Sequence, residues 1–162
     1  MTSEHRESLR LPYHPDDLFD LVSDVRAYPK FIPLISALRV IRENVVDGVG
    51  ELDAEARVQF RFVRESFTTR VTLDRPGRVI QVTYLSGPFH ELANEWRFAG
   101  LPDGSTQISF WIRYRFRNPV LNALMDASRS RAIRYLVERF REEAARRYTA
   151  VESGPDRLGQ KA

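Results

Sequence analysis

Three histidines, His5, His14 and His90, are the only imidazoles in the 162 residues. They are scattered, without the spacing that brings two ligands to one metal ion. His90-Glu91, beside the Gly87-Pro88 bend, is the one adjacent pair that could do acid–base chemistry at a cavity mouth. Neighbouring strand residues point to opposite faces, so this pair reads first as a solvated loop pair. Cysteine is absent, which removes disulfide and thiolate chemistry. No serine stands in a nucleophile-elbow context, and no glycine-rich loop could cradle a phosphate. No catalytic residue, metal or catalytic cofactor is expected, and the protein reads as a non-enzyme.

The aromatic residues say more. Phe60, Phe62, Phe67, Trp96, Phe98, Phe110, Tyr114 and Phe116 all fall at strand-consistent positions. Core packing must account for many of them. A curved sheet gripping one helix nevertheless leaves volume, and aromatic-lined concavities are ordinary ligand sites. Ala54 and Ala56 favour space at one end of a strand. Asn94 shares a face with Trp96 and would be a buried amide in need of a partner, either a backbone group or a ligand carbonyl.

The elements that must position these side chains are legible in the spacing. Glu7–Leu11 alternates weakly as a first strand. Leu18, Phe19, Leu21, Val22 and Val25 share one helical face, with Asp16, Asp17 and Asp20 near the helix start, where carboxylates suit the macrodipole. Pro29 and Pro33 stop that helix, with Tyr28, Phe31 and Ile32 as apolar anchors. Ala37–Val46 is a strand, and Asp47-Gly48 a hairpin signal. From Glu51 to Phe62, apolar and polar residues alternate strictly, which predicts an antiparallel strand with one wet face. Further strands follow over Ser66–Asp74, Val79–Ser86, Glu91–Ala99 and Gln107–Arg117. Asn118 and Pro119 then open a helix expected to run unbroken to about Tyr148, roughly 30 residues or 45 Å at 1.5 Å per residue. Leu121, Leu124, Met125, Ser128, Ala132, Leu136 and Phe140 form its apolar stripe. A long helix must lie across the sheet to close the core. The expected class is α+β, a helix-grip fold of about seven antiparallel strands, occupying residues 1–150 as one domain. Residues 151–162 read as a disordered tail.

Composition is that of a soluble globular chain, 43% hydrophobic and 29% charged. The N-terminus lacks the apolar core of a secretory signal, and no apolar run approaches the ~18 residues of a membrane span. Of 25 basic residues only Lys30 and Lys161 are lysine. A GC-rich genome explains such a bias; contact with phosphate or lipid headgroups, which suits the guanidinium fork, is the functional alternative. Arginines crowd the last helix, Arg131 and Arg134 among them. A solvated face with i,i+4 pairs is the plain reading there, and membrane or RNA contact the functional one.

Two blocks resemble a known family. Pro12-Tyr13-x-Pro15-Asp16-x-Leu18-Phe19-x-Leu21-Val22-x-Asp24-Val25-x-x-Tyr28-Pro29-x-Phe31-Ile32-Pro33 resembles the opening signature of the coenzyme Q-binding START-like domains. Leu85-Ser86-Gly87-Pro88-Phe89-His90-x-Leu92-x-Asn94-x-Trp96-x-Phe98 resembles their G-P-F…N-x-W-x-F block. The family belongs to the wider polyketide cyclase/lipid-transfer superfamily, and the resemblance runs over about Ser8 to Tyr148. It implies a helix-grip fold, a hydrophobic tunnel, and a non-enzymatic carrier or chaperone of ubiquinone or a related prenyl lipid supporting respiration. The expected lining on the sheet is Phe60, Phe62, Phe67, Val71, Tyr84, Asn94, Trp96, Phe98, Phe110, Ile112 and Tyr114; on the helix it is Leu121, Met125 and Leu136. Ubiquinone is expected as bound ligand, with transient contact to an anionic membrane surface through Arg131 and Arg134. The expected location is the cytoplasm, peripheral at the inner membrane. A bacterial branch of the family is a ribosome-association toxin that blocks subunit joining, which gives a second reading with the ribosomal subunit as partner and the arginine face as active surface. A third reading, a cyclase-type enzyme, needs titratable groups inside the cavity, and the inward strand faces offer almost none. DNA is not an expected partner.

Overall fold

The structure is a computed structural model and describes residues 2–151; the expected tail beyond Val151 lies outside the described residues. Seven antiparallel strands form one curved sheet: β1 (Ser3–Leu11), β2 (Ile35–Val46), β3 (Val49–Phe60), β4 (Val63–Asp74), β5 (Val79–Ser86), β6 (Phe89–Gly100) and β7 (Thr106–Phe116). Their spatial order is β1-β7-β6-β5-β4-β3-β2. Strands β2 to β7 are therefore a meander, and β1 adds to its far edge. Because β1 and β2 are opposite edges, the chain between them must cross the face of the sheet.

That crossing is α1 (Pro15–Ser23), a 3-10 turn (Val25–Ala27) and α2 (Tyr28–Phe31). The ring nitrogen of His14 caps α1 by accepting from the Asp16 backbone N–H at 3.2 Å, and Pro15 takes the first position, where no donor is needed. Leu18, Phe19, Leu21 and Val22 are almost wholly buried against Leu73, Ile80, Phe98 and Ile108. The Phe19 ring meets Phe98 edge-on with centroids 5.9 Å apart. This half of the concave face is packed solid.

The C-terminal helix is broken, where the sequence predicts one continuous helix. It comprises α3 (Pro119–Ala127) and α4 (Arg129–Arg147), with Ser128 between them at φ −99°, ψ 4°. The Ser128 N–H is shared between the Leu124 and Met125 carbonyls, both at 3.2 Å. Sheet side chains draw on the same turn: Ser3 donates to Asp126 at 2.6 Å, and the Tyr114 hydroxyl donates to the Met125 carbonyl at 3.4 Å. The Tyr114 bond draws on a carbonyl of the helix ladder and the Ser3 bond ties the Asp126 side chain to the sheet; helical periodicity cannot reveal either. The C-terminal end of α4 is pinned by Phe140, whose ring meets Tyr28, Phe31 and Trp96 at 5.3–5.5 Å. Buried Glu143 accepts from Arg147 at 2.7 Å, and Arg147 also reaches Asp24 at 3.3 Å.

The convex face is wet, as the alternation of β3 predicts. Asp53 sits between Arg70, at 2.9 Å, and Arg42, at 3.2 Å. The β2–β3 hairpin turns at Asp47 (φ 53°) and Gly48 (φ 77°), the two left-handed positions of a type I′ turn.

Candidate ligand cavity

The space lies at the other end of the concave face. A cavity of about 690 Å³ opens between the β3–β4 hairpin, the β5–β6 turn, the end of β7, the α2–β2 connector and the α3–α4 break. That volume falls inside the ~300–1,000 Å³ range of small-molecule sites. The wall is mostly apolar: Val58, Phe60, Phe62 and Phe67 from the hairpin, Phe89 and Phe116 from the sheet end, Leu121, Leu124 and Met125 from α3, and Ala132 from α4. Glu65, Arg61, Ser128, Arg131 and Tyr135 supply polar groups.

Local sequence explains the opening. β5 and β6 are paired from Val79/Arg97 to Thr83/Ala93 and then part. In the gap the Phe89 N–H donates to the Tyr84 hydroxyl at 3.1 Å, so a side chain replaces the ladder. Gly87 sits at φ 140°, and a Cβ there would lie 2.5 Å from the Phe67 Cβ. Only glycine allows the turn to press this close to a lining aromatic. On the opposite wall, Tyr135 is held by the Leu34 N–H, which donates to its hydroxyl at 3.3 Å.

The strand registers put Phe60, Phe67, Val71, Tyr84, Asn94, Trp96, Phe98, Phe110, Ile112 and Tyr114 on one face of the sheet, as the alternation predicts. The structure does not bring them all together. Phe60, Phe67, Leu121, Met125 and Arg131 line the cavity, and so does Phe62, from the turn rather than a strand. Val71 and Phe98 belong to the packed core, with Trp96 and Leu136 against it. Phe110 is buried beneath Trp96, with centroids 4.8 Å apart. Tyr114 is occupied under the helix break, and burial pushes its hydroxyl pKa up. Ile112 is partly buried across from His5, and Tyr84 braces Phe89 from behind. Asn94 is not free for a ligand carbonyl: its amide donates to the Trp111 carbonyl at 2.8 Å and accepts from the Trp96 indole at 3.0 Å. Arg134 is exposed one turn beyond Arg131, outside the wall.

Sequence reasoning missed Phe89, Phe116, Leu124, Ala132 and Tyr135. Phe116 and the helix stripe were visible as apolar periodicity; which part of the stripe faced a void was not. It also missed titratable groups on the inner face. β4 begins at Val63, which turns Glu65 inward opposite Val58. β1 begins at Ser3, which turns His5 and Glu7 inward, 2.9 Å apart. His90 and Glu91 do part company. His90 lines a neighbouring groove of about 480 Å³ with Arg115 and Arg117, while Glu91 accepts from Thr2 at 2.9 Å. Among the described residues no group of three carboxylate or imidazole side chains could hold a metal ion. No described helix is long and apolar enough to cross a membrane.

An open antiparallel sheet with a helix gripped across it, and an apolar cavity at one end, defines the START-like class. The chain belongs to the polyketide cyclase / dehydrase and lipid transport family, whose pattern matches residues 11–141. It is 32% identical over 148 residues to the ribosome association toxin RatA of Pseudomonas aeruginosa, covering 91% of this chain and 99% of that one. It is also 32% identical over 110 residues to the mitochondrial coenzyme Q-binding protein COQ10 of Drosophila melanogaster, covering 65% of this chain and 43% of that one. In fold it is similar to the ZhuI aromatase/cyclase of Streptomyces sp. R1128, with a TM-score of 0.79 at 18% identity over 91% of this chain and 96% of that one.

Proposed function

We propose that the protein is a non-enzymatic carrier that holds a prenyl quinone of the ubiquinone type in the cavity under the α3–α4 break. The observation that carries this reading is the cavity itself: about 690 Å³, aromatic and aliphatic on most of its wall, with Ser128 at the helix break and Arg131 and Tyr135 on α4. Each buried five-carbon prenyl unit is worth about 4 kcal/mol against water, at ~0.8 kcal/mol per carbon. A bilayer offers nearly the same gain, so the protein exchanges ligand with membrane at small net cost. A long tail exceeds the cavity and leaves through the mouth beside Phe62. Hydrogen-bond donors at Arg131, Ser128 and Tyr135 suit quinone carbonyls, which only accept. The likeness to the Drosophila coenzyme Q-binding protein supports the same ligand class.

A second reading, action on ribosomes, is favoured by the likeness to the Pseudomonas toxin across nearly its full length. In that case the exposed arginines around the mouth form the active surface.

The test is uptake. Protein incubated with vesicles containing ubiquinone, then re-isolated, should carry about one quinone per chain. A chain that returns empty from quinone vesicles but loaded from fatty-acid vesicles has a different ligand.

A further inference from the structure

Most arginines in this chain are neutralised locally. On the convex face and along the helix, carboxylates within 4 Å pair Arg6, Arg39, Arg42, Arg70, Arg139, Arg147 and others. Among the described residues, those left without a carboxylate partner are not scattered. Arg57, Arg61 and Arg64 lie on the β3–β4 hairpin, Arg115 and Arg117 at the end of β7, and Arg131 and Arg134 on α4. Arg61 and Arg131 line the cavity, and Arg117 and Arg134 stand beside lining residues; Arg57, Arg64 and Arg115 belong to the same end of the sheet but project from its convex side. The guanidinium of Arg61 instead lies 5.3 Å from the centroid of the Phe60 ring.

Exposed apolar side chains gather at the same end. Phe62 is 84% exposed at the hairpin tip, Val120 is 77% exposed on α3, and Phe60, Leu85 and Leu124 are also exposed. Arg61 holds φ 57° to make the tight turn that projects Phe62. This left-handed conformation costs a non-glycine residue energy.

We infer that this rim is a docking face for an anionic lipid bilayer: Phe62, Phe60, Val120 and Leu124 enter the interface while Arg61, Arg117, Arg131 and Arg134 take lipid phosphates. Aromatic and aliphatic side chains ringed by cations are the arrangement that seats a protein on an anionic surface without a membrane span. The aliphatic members separate this occupant from RNA. A base can stack on Phe62, but Val120, Leu85 and Leu124 offer no stacking plane, whereas acyl chains accept all of them. The cavity mouth lies within the face, so a docked chain presents its opening to the hydrocarbon and the ligand need not cross water. The inference rests on the carrier reading for its purpose but not for its surface chemistry.

The test uses the full chain and vesicles of phosphatidylcholine with phosphatidylglycerol. Val120→Asp with Arg134→Glu changes two exposed residues that do not line the cavity. Val46→Asp is the control, since Val46 is 70% exposed at the opposite, β2–β3 hairpin. Wild type should bind at low salt and release as salt rises. The double variant should bind at least about tenfold more weakly, because it loses one cationic contact and one apolar insertion. Val46→Asp should stay within twofold of wild type. Wild type that ignores anionic vesicles, or a control that loses as much as the double variant, overturns the inference. So does wild type that binds ribosomal RNA but no vesicle. Quinone delivered from ethanol solution distinguishes the two claims: uptake without vesicle binding sinks the docking face and keeps the carrier, and vesicle binding without uptake does the reverse.

Discussion

The indole N–H of Trp96 donates to the side-chain oxygen of Asn94 at 3.0 Å, two residues along the same face of one strand. The other end of Asn94 is tied to the Trp111 carbonyl on the next strand. A tryptophan and an asparagine that could have met a ligand instead satisfy one another inside the packed half of the sheet, with Phe140 of α4 lying 5.3 Å from the indole.

Trp96→Ala is therefore expected to act on stability. Truncating a fully buried tryptophan costs about 3–5 kcal/mol, and partly buried Trp96 is expected to cost about 2–4 kcal/mol. Asn94→Leu leaves the indole donor without its acceptor and is expected to cost about 1–3 kcal/mol. Urea melts read both. Trp96→Ala with an unchanged midpoint and lost ligand uptake would put Trp96 on a cavity wall after all.

Ala132→Trp is the opposite kind of substitution. Ala132 faces the void, so a large side chain there fills space without displacing packed neighbours. Quinone uptake is expected to fall at least tenfold while the urea midpoint stays near wild type, because the cost of overpacking, ~1–3 kcal/mol in a full core, does not arise. Loss of folding in step with uptake would mean the void does not exist in solution.

These outcomes show what the sequence could and could not say. Strict alternation from Glu51 to Phe62 identified the strand and its wet face, because period-two patterning is decided locally, although the strand ends at Phe60 and Phe62 lies in the turn. The same pattern could not tell Phe98 from Phe67: both point inward, but Phe98 meets Phe19 of α1 and Phe67 meets a space. The difference comes from where the 12–34 crossing lies over the sheet, which is set by β1 and β2 being opposite edges. Likewise the stripe from Leu121 to Phe140 was legible, but not its break at Ser128, nor that Ala132 still faces the cavity while Leu136 and Phe140 pack with the core.

The convex face gives a pH dependence. Hydrogen bonds from Arg70 and then Arg42 hold the Asp53 pKa down at about 2. A carboxylate with a depressed folded-state pKa contributes stability that is fully present above its unfolded value near 4 and is lost as pH falls through about 2. Melting temperature should therefore fall between pH 4 and pH 2 by more in wild type than in Asp53→Asn, which lacks this titration. Parallel curves for the two proteins would show that the Arg42–Asp53–Arg70 cluster is not formed in solution.

Arg131→Glu with Arg134→Glu separates the two functional readings. On the carrier reading, transfer from anionic vesicles weakens at low salt, and the difference shrinks at physiological ionic strength, where the Debye length is about 8 Å. On the ribosome reading, wild type blocks subunit joining in an extract and the double variant does not. Unchanged transfer with lost inhibition would make the arginine surface, and not the cavity, the working part.

The most direct measurement is mass spectrometry of the protein purified without detergent, natively and after organic extraction, with Ala132→Trp in parallel. A carrier of prenyl quinones should retain about one quinone per chain, and the filled variant should retain almost none. Wild-type protein free of quinone, or the same quinone recovered from Ala132→Trp, would contradict the account.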